Sequence, residues 1–422
     1  MRLSVAVILA VAVGAGIAAA AEVVLIAVLH PARAGGNPID VTKLAFTVVG
    51  GVGGVLALVI AYRRQRDLEQ NRFVERFGAA AGQLGASDVA VRIAGVYAMA
   101  GVADESDGLR RQQCIDVLCG YLRLPYAPDL GSSHQTKEVL KLPAAESAPE
   151  REQHFEYRQN DSEVRRTVIR VIAAHLRPNA EYNWSANDFD FRSAYLEDVE
   201  FDGATFSGDA GFEGVTFSGD ARFEETTFSR TARFDGATFA DKARFDGATF
   251  ADKARFDGAT FADKALFSEA MFTGDAGFEV ATFSGTARFH RATFAGDAAF
   301  EGATFCSNAR FNEVTFSDTA GFGDVTFTGD ARFNEATFSS TAGFDGATFS
   351  GDAWFGGATF SGATRFERAT FSGTAPFGQT GSGAGAVSFP NPKQGRPSVP
   401  VFNWATDVST KTRNIEPDEV IP

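Results

Sequence analysis

Phenylalanine recurs at alternating steps of five and six residues over almost half of the chain. The series begins at Phe201 and Phe206 and continues without a slip to Phe371 and Phe377. It contains 33 of the 41 phenylalanines in the sequence. The repeating unit has eleven residues, as in the segment Phe234-Asp-Gly-Ala-Thr-Phe-Ala-Asp-Lys-Ala-Arg. A fixed period of this kind indicates stacked structural units that share one continuous core.

The repeat fits an extended chain better than a helix. An eleven-residue period can suit a right-handed coiled coil, but residues five apart lie about 130° apart around a helix and cannot share one seam. Thr, Gly, Phe, Ser and Asp recur throughout the repeat and are weak helix formers. A small residue two positions before a Phe, such as Ala232 or Ala237, lies on the same side of an extended segment as that Phe. Short extended segments separated by Gly, Asp and Ser predict a parallel β-solenoid.

The motif Ala-x-Phe-x-x resembles the repeat of the pentapeptide-repeat family. The resemblance begins in a stretch with strict steps of five that contains Phe191, Ala194, Leu196, Val199, Phe201, Ala204 and Phe206. It implies an all-β, right-handed quadrilateral β-helix over residues 184–377, in which each pentapeptide forms one face and the Phe or Leu and the small residue point inward. The alternation of five and six after Phe206 predicts a coil of about 22 residues, with a bulge at two of its corners.

In such a coil, residues 22 apart in sequence stack at the interstrand spacing of about 4.8 Å. One outward column, interrupted by Gly323, is acidic at Glu213, Asp235, Asp257, Glu279, Glu301, Asp345 and Glu367. A second column, interrupted by Leu266, contains Arg222, Arg244, Arg288, Arg310, Arg332 and Trp354. These residues form the candidate interaction surface, with an acidic face and a partly basic face. Two interpretations remain open: electrostatic recognition of a partner, or a solvated surface that was inherited when one unit was duplicated.

Composition restricts the classes of function. The chain carries a formal charge of −14, and residues 201–371 contribute 25 acidic against 14 basic side chains. This excess of acidic side chains argues against direct nucleic-acid binding, which needs a basic surface. The three cysteines, Cys114, Cys119 and Cys306, are too few for a disulfide framework and have no zinc-ligand spacing. The sequence has no nucleophile elbow and no phosphate-binding loop, so we predict no enzyme activity, no metal and no cofactor.

The N-terminus contains two apolar stretches, residues 3–29 and 43–62, that are each long enough to cross a bilayer. Arg2 precedes the first stretch, whereas Arg63, Arg64 and Arg66 follow the second, which predicts that both ends of a transmembrane hairpin are cytoplasmic. The alternative is a signal peptide cleaved near Ala19-Ala20-Ala21. Closely spaced glycines at residues 50–54 favour tight helix packing, within the hairpin or in a homodimer.

The rest of the chain divides by composition. Residues 63–126 are predicted to be helical, with one helix from Asp67 to Leu84, a second capped by Ser87 and a third from about Gly108 to Tyr121. Residues 127–160 are predicted to be a linker, and residues 161–178 a helix that covers the first coil of the solenoid. Residues 378–422 are predicted to be an irregular or disordered tail.

Together these features predict a non-catalytic scaffold in the cell membrane. In this hypothesis the protein is multi-pass, both termini and the β-helix are cytoplasmic, and the charged solenoid binds an unidentified cytoplasmic protein. The resemblance to the pentapeptide-repeat family implies an alternative. Some members look like B-DNA in shape and charge, and they bind DNA topoisomerases and protect them from inhibitors.

Overall fold

The computed structural model describes residues 38–130, 137–142, 151–376 and 387–388, together with a few residues between 16 and 27. The chain divides into two compact units, Met1–Gly78 and Ala79–Pro422. The predicted first membrane-spanning segment, residues 3–29, lies almost entirely outside the described residues, as does most of the predicted tail.

The first fully described helix, α1, spans Pro38–Leu84 and has 47 residues. It continues without a break through the predicted second span, residues 43–62, and through the helix that we expected to start at Asp67. Proline is well tolerated at a helix start, and no further proline interrupts α1. Among the described residues, no helix combines the length and the apolar character that crossing a membrane requires.

Two shorter helices follow, α2 at Val89–Asp104 and α3 at Gly108–Leu122. The cap of α2 is Asp88 and not Ser87, because the Asp88 carboxylate accepts hydrogen bonds from the backbone N–H groups of Ala90 (2.8 Å) and Val91 (3.2 Å). Gly95 in α2 packs directly against the end of α1, where a Cβ would lie 2.6 Å from the backbone nitrogen of Leu84. Only glycine permits these two helices to approach so closely.

The segment predicted as a linker, residues 127–160, contains regular structure. Strands β1 (Lys137–Leu142) and β2 (Arg151–Glu156) pair antiparallel as a two-stranded hairpin. An ion pair between Lys141 and Glu152 (3.1 Å) crosses the two strands. The charged residues that made this segment resemble a linker therefore face each other across a sheet.

Helix α4, Asp161–His175, packs against the start of the solenoid. The buried guanidinium of Arg165 donates to the carbonyl oxygens of Leu122 and of Tyr195 (3.3 Å), which belong to α3 and to the first coil. The backbone N–H of Thr205 donates to the carbonyl of Leu176 at 2.8 Å. The helix thus supplies hydrogen-bond partners that the first coil would otherwise lack.

Residues 189–371 form a parallel β-solenoid of the right-handed type with about eight turns. Each turn has four faces, which we number I to IV in chain order. Face I is made of the strands Thr205–Phe206, Thr227–Phe228, Thr249–Phe250, Met271–Phe272, Thr293–Phe294, Thr315–Phe316, Thr337–Phe338 and Thr359–Phe360. Face II is made of Phe189–Asp190, Ala210–Gly211, Ala232–Arg233, Ala254–Arg255, Ala276–Gly277, Ala298–Ala299, Ala320–Gly321, Ala342–Gly343, Thr364–Arg365 and Val387–Ser388.

Faces III and IV belong to one sheet, because two longer strands, Tyr195–Glu200 and Thr216–Arg222, run around the corner between them. Face III continues with Thr238–Phe239, Thr260–Phe261, Thr282–Phe283, Thr304–Phe305, Thr326–Phe327, Thr348–Phe349 and Thr370–Phe371. Face IV continues with Ala243–Arg244, Ala265–Leu266, Ala287–Arg288, Ala309–Arg310, Ala331–Arg332 and Ala353–Trp354.

The strand register confirms the coil length that the sequence predicted. Thr238 pairs with Thr260 and Ala243 with Ala265, an offset of 22 residues in each case. The first coil is one residue shorter, since Phe189 pairs with Ala210. This difference arises because the step from Leu196 to Phe201 is five residues and not six.

Four columns of stacked phenylalanine rings fill the solenoid. Within a column the rings are nearly parallel, as between Phe239 and Phe261, whose centroids are 4.7 Å apart with an interplanar angle of 3°. Rings from different columns meet edge to face, as between Phe234 and Phe245 at 5.4 Å and 85°. Phe234, Phe239 and Phe245 are at most 1% exposed. Both ring geometries are favourable for aromatic pairs, so the core gains specific contacts in addition to burial.

The five-residue and six-residue steps correspond to two kinds of corner. A tight turn follows faces II and IV, as at Phe234, whose carbonyl accepts a 3.0 Å hydrogen bond from the N–H of Ala237. Its third residue, Gly236, has a φ of 61°, as a type II turn requires. The corners after faces I and III contain the extra residue.

Candidate interaction surface

The structure places the two predicted charged columns on different sides of the solenoid. The acidic column occupies the second position of the tight turn after face II and contains Glu213, Asp235, Asp257, Glu279, Glu301, Asp345 and Glu367. The other column points outward from face IV and contains Arg222, Arg244, Arg288, Arg310, Arg332 and Trp354. Faces II and IV are opposite each other in the four-sided coil, so the two columns point in different directions.

Aspartates in the acidic column have a role in the backbone of the next coil. The carboxylate of Asp257 accepts a hydrogen bond from the backbone N–H of Glu279 (3.0 Å), and Asp345 accepts one from Glu367 (3.0 Å). The equivalent turn after face IV repeats this contact between Asp246 and the N–H of Ser268 (2.8 Å). The hydrogen bond to the next coil therefore partly explains why an acidic side chain occupies this position.

Three carboxylates of the column are neutralised by an arginine 20 residues further on, which projects from face II in the next coil. The ion pairs are Asp345 with Arg365 (2.9 Å), Asp235 with Arg255 (3.1 Å) and Glu213 with Arg233 (4.0 Å). In the middle of the solenoid the residues at this face II position are Gly277, Ala299 and Gly321. Among the described residues, Glu279 and Glu301 form no ion pair.

We call Glu279, Asp297 and Glu301 the central acidic patch. Burial raises the pKa of the Glu301 carboxyl, and the charges of Glu279 and Asp297 raise it further. The raised pKa of Glu301 means that its ionisation is disfavoured, first by burial and then by neighbours that carry the same charge. The patch is therefore a local concentration of negative charge for which the described residues supply no ion pair to Glu279 or Glu301.

The column on face IV is largely neutralised. Arg222 pairs with Glu200 (3.4 Å) and Asp202, Arg244 pairs with Asp220 and Glu224 (both 3.3 Å), and Arg332 pairs with Asp330 (3.3 Å). In the part of the chain that the structure describes, no carboxylate lies within ion-pair distance of Arg288 or Arg310. Their neighbours in the following turn are His290 and Asn312. Face IV therefore presents two uncompensated arginines and not a continuous basic surface.

Other chemistry-bearing groups lie away from this surface. Burial raises the pKa of the Cys114 thiol to about 11 and that of Cys119 to about 12, so both remain protonated and unreactive. No three His, Cys, Asp or Glu side chains are placed to hold a metal ion in the described ranges. The buried cluster of Arg92, Asp161 and Tyr121 belongs to the helical cap.

Sequence reasoning found the acidic column but missed its pairing with arginines. The signal was present, because every Arg on the face II column follows an acidic residue by 20 positions and the two lie one coil apart. By contrast, Arg92 and Asp161 are 69 residues apart in sequence, and no periodic pattern brings them together.

Comparison with known proteins supports the assignment of the repeat. The family model for pentapeptide repeats, which describes nine copies, matches four consecutive segments, residues 191–238, 234–282, 278–326 and 322–370. Comparison with curated proteins gives no significant match, and comparison with solved structures gives none either. The four segments cover the turns of the solenoid without a gap. With its Ala-x-Phe units, 22-residue register and four faces, the solenoid over residues 191–370 is a pentapeptide-repeat region.

Proposed function

We propose that the chain is a non-catalytic scaffold whose solenoid binds a protein partner through the central acidic patch. The observation that supports this proposal is that, in the part of the chain that the structure describes, no cation lies opposite Glu279 and Glu301. Elsewhere in the same column the fold places an arginine at the corresponding position. Like charges that are stacked and partly desolvated destabilise the free protein, so a partner that supplies the missing cations gains binding energy at this point.

The chemistry of the patch defines the class of partner. Carboxylates spaced by one coil, about 4.8 Å, along a rigid axis are complementary to a basic segment with Lys or Arg at regular intervals. Such complementarity mainly increases the association rate and the specificity of binding. The core of stacked phenylalanines holds the patch rigid, which reduces the entropy lost on association.

The proposal includes a membrane tether that keeps the solenoid on the cytoplasmic side. It rests on the sequence alone, on the apolar residues 3–29 and 43–62 and the arginines that follow the second stretch, and not on a helix of the described residues. Accessibility labelling tests this arrangement in intact cells with two single-cysteine proteins, one with Gly36→Cys in a background without Cys114, Cys119 and Cys306, and one that keeps only the exposed Cys306 on the solenoid. Only the cysteine at residue 36 should react with an impermeant reagent, and labelling at both positions would exclude a cytoplasmic solenoid.

The fold suggests a direct test of the acidic patch that leaves its carboxylates in place. The variant Ala299→Arg/Gly321→Arg places guanidinium groups where Arg255 and Arg365 lie in other coils. It should neutralise Glu279 and Glu301 and abolish capture of the partner from detergent-solubilised membranes, measured by quantitative mass spectrometry.

The matched control adds the same charge to the opposite face. Leu266→Arg/Trp354→Arg extends the existing arginine column on face IV, so it adds two positive charges at positions where the coil already accepts arginine. This variant should retain every partner that the unmodified chain captures. Identical capture by both double variants and by the unmodified chain would show that the acidic patch is not the binding surface.

A DNA-mimicking interaction with a topoisomerase is the alternative that the family suggests. The acidic column supports it, whereas the arginines at residues 233, 255 and 365 interrupt the negative charge that mimicry of a phosphate backbone needs. Inhibition of topoisomerase supercoiling by the purified chain, together with loss of inhibition in Ala299→Arg/Gly321→Arg, would favour this alternative.

A further inference from the structure

Faces I and III differ from the charged faces because their outward residues are small and uncharged. Each strand of face III presents a Thr and, two residues later, a Ser, Ala, Cys or Thr on the same side of the sheet. These outward residues form two parallel rows along the solenoid axis, which we call ranks. The first rank is Thr216, Thr238, Thr260, Thr282, Thr304, Thr326, Thr348 and Thr370. Face I repeats this arrangement and has a single departure, Met271, in its threonine rank.

The two faces are flat and rigid. Successive coils are stacked with little rotation, because the rings behind these two faces differ in plane by 1° to 13° from one coil to the next, as between Phe272 and Phe294 (1°) and between Phe316 and Phe338 (13°). Sheets ordinarily twist by about 20–25° per strand, so this stacking is unusual. The hydroxyls of Thr348 and Thr370, one coil apart, are 3.2 Å from each other. A rank of threonines thus forms a straight row with a constant repeat.

Threonine is well suited to order water at such a surface. Its β-branched side chain is stiff about χ1, so a methyl group and a hydroxyl can repeat in the same orientation at every coil. Charged side chains would impose hydration shells of their own. In face III the two-rank array is free of Asp, Glu, Lys and Arg from Thr282 to Ser372, and in face I from Thr293 to Ser361.

A second protein molecule is a poor occupant for these faces. Eight coils at about 4.8 Å give a strip about 38 Å long and about 10 Å wide, which would bury about 800 Å² in total from two partners. Stable protein interfaces bury about 1,200 Å² or more. The strip also has few large apolar or aromatic side chains to act as binding hot spots. A crystalline lattice needs no such anchors, because it engages every position of a rigid row at once.

We propose that faces I and III are ice-binding surfaces. The rows repeat about every 4.8 Å along the solenoid axis and the two ranks are about 6.7 Å apart along a strand. Both distances are of the same size as the oxygen repeats on the prism faces of hexagonal ice. Threonine methyls and hydroxyls in this array hold water in positions that merge with the ice lattice, and the charged faces II and IV remain in liquid water.

The test uses the purified full chain in detergent, labelled with a fluorophore on a surface lysine. The unmodified chain should shape growing ice crystals, slow ice recrystallisation and partition into a slowly grown ice hemisphere. The variant Thr304→Lys/Thr326→Lys blocks face III, and Thr315→Lys/Thr337→Lys blocks face I. Each should weaken incorporation into ice, and the combination should abolish it.

The control variant Leu266→Lys/Trp354→Lys adds the same charge to face IV and should bind ice as the unmodified chain does. Far-ultraviolet circular dichroism and thermal melting show whether each variant is folded. The proposal is overturned if the folded, unmodified chain neither shapes ice nor enters it. It is equally overturned if the face I and face III variants enter ice as well as the face IV control.

Discussion

The carboxylate of Glu301 lies over the backbone of Gly321, so closely that a Cβ at residue 321 would collide with it. Two coils earlier, the equivalent residues are Asp257 and Gly277. Three coils earlier they are occupied by Asp235 and Arg255, which form an ion pair at 3.1 Å. The fold therefore accepts either an arginine or a glycine opposite each carboxylate. The glycine leaves the charge of Glu301 uncompensated.

The first prediction concerns the pH dependence that results from this arrangement. The pKa of Glu301 is raised by burial and then by Glu279 and Asp297, so its ionised form is disfavoured in the folded state. The protonated form of Glu301 is favoured in the folded state. Its contribution to the free energy of unfolding is therefore present at low pH and is lost as the pH rises through the raised pKa. Glu301→Gln should therefore stabilise the solenoid at pH 7, by less than about 1 kcal/mol because the site is partly exposed. The gain should vanish under acidic conditions in thermal melts recorded against pH.

Glu313 provides a control of opposite sign. Its hydrogen bond and ion pair with Arg291 (2.8 Å) lower the pKa of the Glu313 carboxyl, so its contribution is present at neutral pH and is lost as pH falls through the lowered pKa. Glu313→Gln should therefore reduce the melting temperature at pH 7 and have no effect at the acidic end. The interpretation of the acidic patch is wrong if both variants change stability in the same direction at pH 7.

The sequence predicted the solenoid well because every constraint on it is local and periodic. Alternating steps of five and six place Phe206, Phe212, Phe217 and Phe223 in four columns, and the single step of five at Leu196 accounts for the shorter first coil. The hairpin of β1 and β2 and the buried Arg92 could not be predicted in the same way. They depend on partners at distances that no repeat specifies.

The second prediction tests the inward position of the phenylalanines. Phe256 is fully buried and stacks between Phe234 (4.8 Å) and Phe278 (4.9 Å). Because a rigid stack cannot collapse into the space, Phe256→Ala should lower the free energy of unfolding by about 3–5 kcal/mol. Phe256→Leu keeps most of the volume and should cost less. Chemical denaturation followed by circular dichroism measures both, and equal midpoints for the alanine variant and the unmodified chain would contradict an aromatic core.

The third prediction concerns a strained turn. Val280 occupies the third position of a tight turn with a φ of 57°, where the equivalent residue in the next coil is Gly302 at 66°. A β-branched residue is strongly disfavoured at positive φ, and the Val280 side chain is 68% exposed, so it gains little from packing. Val280→Gly should stabilise the protein by about 1 kcal/mol.

The reverse change, Gly302→Val, is the matched control and should destabilise the protein by a similar amount. Both midpoints come from urea denaturation at one pH. A destabilising Val280→Gly variant would mean that the valine makes a contact that outweighs the strain of its backbone.

The fourth prediction concerns the attachment of the helical cap. Arg92 is fully buried and donates to the carboxylate of Asp161, to the hydroxyl of Tyr121 (3.1 Å) and to the carbonyl of Gln159 (2.5 Å). Removing one partner of a buried ion pair typically costs about 3–5 kcal/mol, and Asp161 would keep only its longer contact with Arg165 (3.8 Å) and the hydrogen bond from Tyr121. Arg92→Met should therefore destabilise the cap strongly. The effect should appear as faster hydrogen exchange in α4.

The double variant Arg92→Met/Asp161→Leu removes the carboxylate as well and should recover part of the lost stability, because replacing both members of a buried pair by apolar groups is often nearly neutral, whereas Arg165 loses its contact with Asp161 (3.8 Å). The coupling energy from this double-mutant cycle separates the ion pair from simple loss of packing. Arg92 is connected to the solenoid through Asp161 at the start of α4, and Arg165 in that helix bonds to the first coil. Exchange in the first-coil strand Tyr195–Glu200 should therefore rise in Arg92→Met and return in the double variant. Unchanged exchange in that strand would show that the cap and the solenoid open independently.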